Sequence, residues 1–519
     1  MNNQPVRIVL RDGFLELSEA PEGLLKKLRY FRRELAQVGR QRQVRGRFED
    51  LYAVRDDGSI ITMPGFAHRV LCFFRESGRP FEFVDARTPM PKPDMEAAMA
   101  GLRPYQVRLV GRMLVNGGGI LKGSTGMGKT VCSASVIKAF HHEDLCSRGT
   151  PLAVFACPDK DINRKNRDEL ARFLPGRNVG IIMSGDNHPT DDVICCTLDS
   201  LEKIDPETVG VLICDEMHTA SSGGRQEVLS RFAKAARWGV SATPTGRFDG
   251  GDLVAEGLFG PVVAEFSYAD GVAAGALVPL TVYWLDAPPP RDGLAAYARL
   301  RSRDGKIRHG STANPGFNQM VADILNAVPD DVQVLCMTQF LEQMSGIHRR
   351  CTEGRTGFVH GESDPDNLAP YPTLSAISSK QRKEIYADFR EHRRNSMIST
   401  SVWRQGVDFP DLSVVINAGG GGSDIVAKQI PGRASRAAEG KDEAYIVDFV
   451  HEWDREDPVS RSGKAGPLLS ADRARRKAYS SLGFKEVRCR SITDLPFLDK
   501  SVAESPTAQS ERAATGFLL

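Results

Sequence analysis

GGILKGSTGMGKTVCSASVIKAF, residues 118–140, is the stretch that indicates the fold most directly. An apolar run, GGIL, leads into the loop GSTGMGKT (Gly123–Thr130), and a run with helical spacing follows. Strand, glycine-rich loop and helix in this order form the context that a phosphate-binding P-loop requires. Glycines let backbone N–H groups approach phosphate oxygens, and the helix N-terminus adds partial positive charge. The stretch therefore predicts a phosphate cradle at the end of a strand.

The eight residues of this loop are candidate contacts to a nucleotide. We expect Lys129 to reach the β- and γ-phosphates of ATP and the Thr130 hydroxyl to bind Mg²⁺. A glycine-rich surface turn is the alternative, and the flanking strand and helix disfavour it. The predicted contacts are Gly123, Ser124, Thr125, Gly126, Met127, Gly128, Lys129 and Thr130.

A second apolar run, VLICDEMH (Val211–His218), ends in two adjacent carboxylates. A buried strand would hold Asp215 rigidly at the carboxyl edge of a sheet, where a nucleotide binds. We expect Asp215 to bind Mg²⁺ and Glu216 to accept a proton from the attacking water. Paired acids at a strand end also cap helices, but the P-loop upstream makes that alternative weak.

Residues that could couple the nucleotide to motion lie in separate motifs. His218 is expected to contact Ser241 of the string SATP (Ser241–Pro244). A plain hydrogen bond without a coupling role is the alternative for this pair. The candidate coupling residues are His218, Ser241, Thr243 and Gln429.

Two further motifs are expected to line the nucleotide cleft. LRPYQ (residues 102–106) precedes the P-loop, and RQGVDFP (residues 404–410) lies far downstream. Gln106 is placed to read the N6 and N7 edge of adenine, the pairing that glutamine makes to adenine in DNA. Asp408 is expected near the ribose. The cleft residues predicted from the two motifs are Arg103, Gln106, Gly406 and Asp408.

QIPGRASR (Gln429–Arg436) spaces two arginines three residues apart, which predicts one face of a helix. Supplied by a second lobe, Arg433 and Arg436 would complete a site that the first lobe leaves open. An arginine finger of this kind stabilises charge on the transferring phosphoryl group and contributes roughly 10³–10⁵ in rate. Hydrolysis would then depend on lobe closure, which lets turnover drive motion along a strand.

The order of apolar runs predicts an α/β protein with two tandem parallel-sheet lobes, a small α+β N-terminal domain and a basic C-terminal extension. Predicted strands of the first lobe are residues 118–121, 152–157, 180–183, 193–197, 211–215 and 238–243; those of the second are 332–337, 357–360, 396–400, 413–418 and 444–450. Two inserts, 285–315 and 362–380, have no role that can be assigned. The predicted domains are 1–95, 96–265, 266–455 and 456–519, with a disordered tail after Ser491.

Composition indicates a soluble globular chain of roughly three compact units. It has 519 residues, 41% hydrophobic and 26% charged, and a net charge of +2. The ten cysteines include no C-x-x-C pair, and five lie in apolar runs, as expected in a reducing compartment. Neither a signal peptide nor a transmembrane run is evident, so we expect a cytoplasmic location, or the host cytoplasm if the gene belongs to a phage.

Positive charge is concentrated in two stretches, residues 26–47 and 461–490. Such clusters suit binding to a phosphate backbone. For each stretch taken alone, the solvated face of a helix is an equal alternative.

In this order, LRPYQ, GSTGMGKT, DEMH, SATP, RQGVDFP and QIPGRASR resemble the motifs of superfamily 2 helicases over about residues 100–450. The resemblance implies two RecA-like lobes, ATP and Mg²⁺ as cofactors, and a DEAH-like branch. The N-terminal domain, the proline-rich linker and the basic C-terminal segment look most like phage branch-migration helicases of the UvsW type. By the same resemblance, contacts to a nucleic-acid backbone fall on Pro158, Lys160, Thr197 and Thr400.

The function expected from this resemblance is an ATP-dependent DNA helicase or translocase acting on forks, junctions or R-loops, without a membrane partner. An RNA helicase, acting on RNA or an RNA–DNA hybrid, shares every core motif. A restriction-type motor would need a nuclease, for which no acid–acid–lysine constellation is evident. A catalytically dead clamp is disfavoured because Lys129, Asp215, Glu216, Arg433 and Arg436 are intact. Oligomeric state and polarity stay open.

Overall fold

The computed structural model describes residues 4–38, 41–220, 224–244, 249–403, 409–421, 431–455 and 465–498. The chain forms two compact units, Met1–Ser267 (unit 1) and Tyr268–Leu519 (unit 2).

Unit 1 contains fifteen strands and nine helices within the described ranges. The strands are β1 (Val6–Leu10), β2 (Leu15–Leu17), β3 (Arg29–Val38), β4 (Gln41–Asp50), β5 (Tyr52–Val54), β6 (Ile60–Thr62), β7 (Phe81–Asp85), β8 (Gly119–Gly123), β9 (Leu152–Cys157), β10 (Val179–Met183), β11 (Asp186–His188), β12 (Val193–Thr197), β13 (Val209–Asp215), β14 (Ala236–Ser241) and β15 (Val262–Phe266). The helices are α1 (Glu22–Lys27), α2 (Ala67–Ser77), α3 (Met95–Met99), α4 (Pro104–Asn116), α5 (Lys129–Lys138), α6 (His142–Ser147), α7 (Lys160–Phe173), α8 (Arg225–Ser230) and α9 (Asp252–Phe259).

Unit 2 contains seven strands and eight helices within the described ranges. The strands are β16 (Leu280–Asp286), β17 (Val334–Met337), β18 (Thr356–Val359), β19 (Ser396–Ser399), β20 (Val414–Asn417), β21 (Ala444–Val450) and β22 (Lys485–Arg488). The helices are α10 (Tyr268–Ala273), α11 (Leu294–Ala298), α12 (Arg303–Ile307), α13 (Pro315–Ala327), α14 (Leu341–His348), α15 (Ser379–Arg390), α16 (Pro431–Ala434) and α17 (Pro467–Ser481), and a short π-helix covers Arg308–Thr312.

The N-terminal part of unit 1 is a five-stranded sheet in the order β5-β6-β2-β1-β7. The apolar side chains of β1 and β2 pack on α2 around Phe66, Val70 and Phe74. Helix α2 ends where Gly78 adopts a left-handed conformation with φ of 65°, a common way to end a helix. The small α+β N-terminal domain is therefore confirmed.

A two-stranded antiparallel ribbon, β3–β4, leaves this domain. It carries most of the first basic stretch, for which the solvated face of a helix was the alternative to a phosphate-binding patch. That helical alternative is wrong. The ten-residue strands pair from Arg29–Asp50 at the base to Val38–Gln41 next to the turn.

The remainder of unit 1 is an eight-stranded sheet in the order β11-β10-β12-β9-β13-β14-β8-β15. All neighbouring strands are parallel except β11, which runs antiparallel to β10. The central strands β9 and β13 are buried nearly throughout, as continuous apolar runs require between two helical layers. Each predicted strand of the first lobe overlaps a strand here, whereas the polar β11 and the half-exposed edge strand β15 were missed.

The N-terminal domain is fastened to the eight-stranded sheet within unit 1. The Arg69 guanidinium donates two hydrogen bonds to the Glu256 carboxylate of α9, at 2.8 and 2.5 Å. The proline-rich segment 88–94, predicted to be a linker, is anchored at both ends: the Thr88 hydroxyl donates to Asp12 and the Asp94 carboxylate caps α3.

Unit 2 is built on a seven-stranded, fully parallel sheet in the order β18-β19-β17-β20-β21-β16-β22. Together with the first sheet, it confirms the predicted fold class. Two strands of this sheet were missed. One is β16, whose last two residues were assigned to the insert 285–315, and the other is β22, which adds the C-terminal segment to the sheet edge.

Two expectations for the C-terminal segment are corrected. Arg475 lies buried between carboxylates instead of on a basic surface, because it balances Asp448 and Asp472. The tail is packed beyond Ser491, since Leu495 and Leu498 belong to the core of unit 2, and residues 499–519 lie outside the described ranges. None of the helices in the described ranges combines the length and apolar character needed to cross a bilayer.

Candidate active site

Three neighbouring strands of unit 1 bring the first-lobe motifs to one edge of the sheet. β13, β14 and β8 are adjacent and parallel. Their carboxyl ends carry Asp215, Ser241 and the P-loop in that order. Because the carboxyl ends of parallel strands meet at the same edge, the motifs form a single site, as in other nucleotide-binding α/β sheets.

The P-loop is shaped by glycines in conformations that other residues avoid. Gly126 and Gly128 have φ of 91° and 86°. A Cβ on Gly128 would lie 2.6 Å from the Gln106 amide nitrogen, so no larger residue fits there without movement. Lys129 begins α5, and its ammonium group lies 3.4 Å from the Gly123 carbonyl oxygen.

Two residues of LRPYQ hold the P-loop from behind. The Tyr105 hydroxyl donates to the Met127 carbonyl at 2.9 Å, and its ring stacks on Phe266 with centroids 4.4 Å apart. Gln106 is 6% exposed; its amide nitrogen donates to Met127 at 3.3 Å, and its oxygen accepts from the Arg103 backbone at 3.1 Å. Both polar atoms of Gln106 are thus engaged by the chain itself, and its reading of adenine stays a prediction. Tyr105 was missed, although an aromatic residue beside Gln106 was a usable signal.

The two acidic residues at the end of β13 are held in unequal environments. Glu216 is a non-glycine residue at φ 47° and ψ 46°, in the left-handed region, a conformation that costs energy and occurs often at active sites. Burial and the neighbouring charge of Glu216 raise the pKa of Asp215 to about 6. Burial also raises the pKa of Glu216, but its hydrogen bond to His218 and the charge of Lys129 outweigh that effect and lower it. The pair suits a proton acceptor beside a group that needs a cation.

A hydrogen-bond network connects these acids to the SATP motif. The fully buried Ser241 hydroxyl donates to the Glu216 carboxylate at 3.3 Å and accepts from the Thr243 backbone N–H at 3.1 Å. His218 Nδ1 lies 3.0 Å from the same hydroxyl and 3.3 Å from Glu216 Oε2. The expected contact between His218 and Ser241 is therefore present, and its coupling role stays a prediction.

The site has the donor set that a nucleotide with a divalent cation needs. Among the described residues, Ser124 Oγ and Thr243 Oγ1 are buried without a hydrogen-bond partner. Such orphaned hydroxyls beside a glycine-rich loop suit additional polar ligands. The Thr130 hydroxyl and the Asp215 carboxylate are hard oxygen donors, the type that Mg²⁺ prefers. These residues fit a magnesium-bound triphosphate.

The three candidate backbone contacts of unit 1 share the same sheet edge. Pro158 and Lys160 follow β9, and Thr197 ends the adjacent β12. Lys160 is exposed. Thr197 is buried and donates its hydroxyl to Ser200 at 2.9 Å, so that hydroxyl is used inside the protein.

Unit 2 places fewer of the predicted residues. Thr400 is buried just after β19. The expectation that Arg433 and Arg436 share a helix face is wrong: α16 ends at Ala434, and Arg436 forms a β-bridge with Leu277. The chain is extended there because the Val278 N–H binds the Ser435 carbonyl at 2.7 Å. Gly406, Asp408 and Gln429 lie outside the described residues, as does the side chain of Arg433.

Two family models match the chain in the order of its units. The model for the res subunit of type III restriction enzymes matches residues 99–246, and the helicase conserved C-terminal domain matches residues 318–438. Together they match just over half of the chain.

Two curated relatives of the chain come from archaea and are named as a DNA helicase and a DNA translocase. A putative DNA 3'-5' helicase Rad25 of Haloarcula marismortui is 24% identical over 65% of this chain and 51% of its own length. The DNA 3'-5' translocase XPB2 of Sulfurisphaera tokodaii is 24% identical over 67% of this chain and 81% of its length. The chain thus spans about half the length of the Rad25 relative.

Two solved structures are similar to this chain to different degrees. Dbp5 of S. cerevisiae, bound to RNA and ADP BeF3, covers 77% of this chain and 94% of its own with a TM-score of 0.51 and 16% identity. T4 UvsW covers 94% of this chain and 99% of its own with a TM-score of 0.37 and 15% identity. The first likeness supports two RecA-like sheets as the fold of this chain.

Proposed function

This chain belongs to superfamily 2 of the helicases, and from that premise we propose that it is an ATP-dependent DNA helicase or translocase acting on branched DNA. The observation that carries the proposal is the convergence of the P-loop, the Asp215–Glu216 pair and Ser241 at one sheet edge. Magnesium-bound ATP would supply the phosphoryl group and the charge neutralisation.

We infer the following roles for the residues of unit 1. Lys129 and the loop amides would hold the phosphates, and Thr130 and Asp215 would hold the metal ion. Glu216 accepts the proton of the attacking water, since its environment keeps it ionised. Ser241 and His218 hold the Glu216 carboxylate by hydrogen bonds, and Ser241 connects it to the backbone of Thr243 in the same motif. Arg103 and Gln106 flank the base.

From unit 2 we propose that Arg433 and Arg436 supply positive charge to the transferring phosphoryl group. Gly406 and Asp408 would line the cleft, and Gln429 would take part in coupling. The β-bridge at Arg436 fixes the backbone from which such a side chain would reach out. Removal of an arginine finger costs roughly 10³–10⁵ in rate, so these residues are testable independently of unit 1.

DNA is the substrate that the proposal favours. The Rad25 and XPB2 relatives bear names of DNA motors. The arginine-rich ribbon β3–β4 adds a basic surface for a duplex arm, without sequence preference. We further propose a role in branch migration like that of phage UvsW-type helicases, with contacts by Pro158, Lys160, Thr197 and Thr400 along the strand.

We also infer a reducing location such as the cytoplasm. All ten cysteines are free thiols. Burial raises the pKa of Cys132 to about 12, and it likewise raises the pKa of Cys196, so these thiols pack as small apolar groups.

The deciding experiment measures ATP hydrolysis by the full chain with single-stranded DNA, duplex, forked DNA, RNA and RNA–DNA hybrid. Stimulation by DNA, strongest with forks, is expected. Stimulation by RNA alone would make the chain an RNA helicase, and cleavage of the DNA would make it a restriction-type motor. Failure of every polynucleotide to stimulate hydrolysis would overturn the proposal.

A further inference from the structure

The ribbon β3–β4 exposes an aromatic pair on one of its faces. Cross-strand partners share a face, and the register pairs Phe31 directly with Phe48. Phe48 is 61% exposed and Phe31 40% exposed, in a domain whose other large apolar side chains mostly fill a core. Leaving two phenyl rings in water forgoes apolar burial, so the pair calls for a ligand.

The two rings are arranged as a braced platform. Their centroids are 5.1 Å apart and their planes meet at 67°, an edge-to-face contact. The Phe31 ring lies over Gly46, where a Cβ would approach it to 2.3 Å. The Phe31 ring therefore packs directly on the Gly46 backbone, and it contacts the more exposed Phe48 ring from the side.

Arginines outnumber acidic residues along the ribbon. Residues 29–50 contain seven arginines and three acidic residues. On the aromatic face, the Arg29 guanidinium lies 4.9 Å from the centre of the Phe48 ring and also pairs with Asp50. On the opposite face, Arg32 and Arg47 both bind Glu49. A ligand of the aromatic face therefore meets flat apolar surface and a positive field, which suits bases attached to phosphates.

The base of the ribbon is fixed to the segment that follows the SATP motif. The Arg33 N–H donates to the Asp249 carbonyl at 3.3 Å. Gly250, with φ of 79°, lies so close that a Cβ there would be 2.9 Å from the Phe31 carbonyl oxygen. On the face opposite the rings, Tyr30 packs against the core of the eight-stranded sheet. A force that DNA exerts on the ribbon is thus transmitted to residues 249 and 250, only a few residues after Thr243.

We propose that this aromatic face binds unpaired DNA bases at a branch point, with Phe48 stacking on a base and Phe31 bracing it. The inference rests on the proposed function and names the element that recognises the branch. A second copy of the chain is a poor occupant, because two ribbons of the same positive charge repel each other. A rigid pair of apolar rings also suits the separation of stacked bases, because some DNA-binding proteins insert apolar side chains between base pairs in this way.

The test uses the full chain and a DNA fork with 2-aminopurine as the first unpaired base. Stacking on Phe48 should quench the fluorescence in the absence of ATP. Phe48→Ala should remove the quenching and weaken fork binding about 5- to 150-fold at fixed salt. Phe48→Leu should behave alike, because leucine is apolar but has no aromatic face. The salt dependence of binding should stay as in wild type, since phenylalanine neutralises no phosphate.

Two matched controls are Phe83→Ala on β7 and Phe173→Ala at the end of α7, both exposed phenylalanines outside the ribbon. Both should bind forks as wild type does. Wild-type fork binding by Phe48→Ala, or rescue by Phe48→Leu, would overturn the stacking proposal. So would a wild-type dimer, seen by sedimentation, that Phe48→Ala converts to monomer. A wild type without DNA-stimulated hydrolysis contradicts the proposed function instead, and the quenching signal reads independently of it.

Discussion

Each unit of the molecule holds charged side chains near the carboxyl end of a sheet strand, fully buried in unit 2 and only partly buried in unit 1, and only the unit 2 cluster is saturated with hydrogen bonds. In unit 2, Asp448 of β21 is fully buried and accepts hydrogen bonds from Arg475, Tyr479 and Asn417, all near 3 Å. In unit 1, Asp215 accepts from the Glu216 backbone N–H and repels its neighbouring carboxylate. A saturated cluster stabilises the fold, whereas an unsaturated one retains capacity for a ligand.

The unit 2 cluster also reaches the C-terminal helix. Arg475 of α17 binds Asp472 at 2.9 Å and the Gly421 carbonyl at 3.0 Å, and Asp472 in turn accepts from the His451 N–H at 2.7 Å. Burial lowers the pKa of Arg475, but the two carboxylates outweigh it and raise that pKa above its usual value. The guanidinium is therefore permanently charged and joins α17 to the sheet. The comparison predicts that mutations in the Asp215–Glu216 cluster of unit 1 lower the rate of hydrolysis, whereas mutations in the Asp448–Arg475 cluster of unit 2 lower stability.

Within the two clusters, the largest effect is expected from Glu216→Gln. Loss of the proton acceptor should lower kcat for ATP hydrolysis about 10²- to 10⁴-fold. Thermal stability should change little, because the amide removes the repulsion of Asp215 but also weakens the interactions of Glu216 with His218 and Lys129. Steady-state hydrolysis and a melting curve check both halves, with the exposed Glu265→Gln as control. An unstable Glu216→Gln protein, or one of normal rate, would show that the unit 1 cluster is structural.

The converse test is Arg475→Met in unit 2. Removing the guanidinium leaves Asp448 and Asp472 buried without the positive charge that balances them, which should lower the free energy of unfolding by about 3–5 kcal/mol. Urea denaturation measures this loss. The adjacent Arg476→Met, whose guanidinium lies over the Trp284 ring, is the matched control and should cost far less. Equal stability of the two variants would remove the contrast between the clusters.

The two clusters also differ in how far sequence could predict them. The P-loop residues follow one another along the chain, and so do Asp215 and Glu216. Because the chemistry of each motif depends on this local spacing, the sequence alone was enough to single them out. Asp448 and Arg475 are 27 residues apart and meet only because α17 folds back on the sheet. From sequence alone, Arg475 was therefore assigned to the basic stretch 461–490. The sequence contained no local sign of the carboxylates that surround it.

Strands show the same division. Apolar runs such as β9 and β13 were predictable because both of their faces are buried. The ribbon β3–β4 was not, since its arginines mask the alternation of a two-stranded element with one aromatic face. Similarly, the expected helix at Arg436 failed because a non-local bridge to Leu277 competes with helical spacing.

A smaller effect should follow from Ser241→Ala, which tests whether the unit 1 network serves the reaction. The Glu216 carboxylate and the Thr243 N–H each lose a partner. One lost hydrogen bond of this type costs about 1–2 kcal/mol, so kcat should fall about 10-fold. Ser230→Ala on α8, whose hydroxyl binds a local carbonyl, is the control. If hydrolysis stays normal while strand displacement fails, Ser241 acts in coupling and not in positioning Glu216.

The smallest effect is expected from Lys441 of unit 2, which should change the pH dependence of stability. It tests whether a cation held by backbone carbonyls behaves differently from Arg475. Its ammonium group donates to the carbonyls of Pro410 and Leu412 at 2.9 and 2.7 Å, and burial lowers its pKa to about 8, against a smaller opposing effect of Asp411. Between pH 8 and about 10.5, Lys441 is therefore mostly protonated in the unfolded chain and mostly neutral in the folded chain. Stability should rise with pH in that window, with a slope of at most about 1.4 kcal/mol per pH unit from this residue.

Lys441→Met should remove that part of the slope, while the exposed Lys380→Met on α15 should leave it. The measurement is the free energy of unfolding in urea at several pH values from 7.5 to 10.5, compared as differences from wild type. Unit 2 then contains two kinds of desolvated cation, one balanced by carboxylates and one held by carbonyls, and only the second responds to pH between 8 and about 10.5. If wild type and Lys441→Met keep parallel profiles, carbonyl oxygens alone are enough to hold an ammonium charged in this fold, and saturation with opposite charge is not what distinguishes the structural cluster.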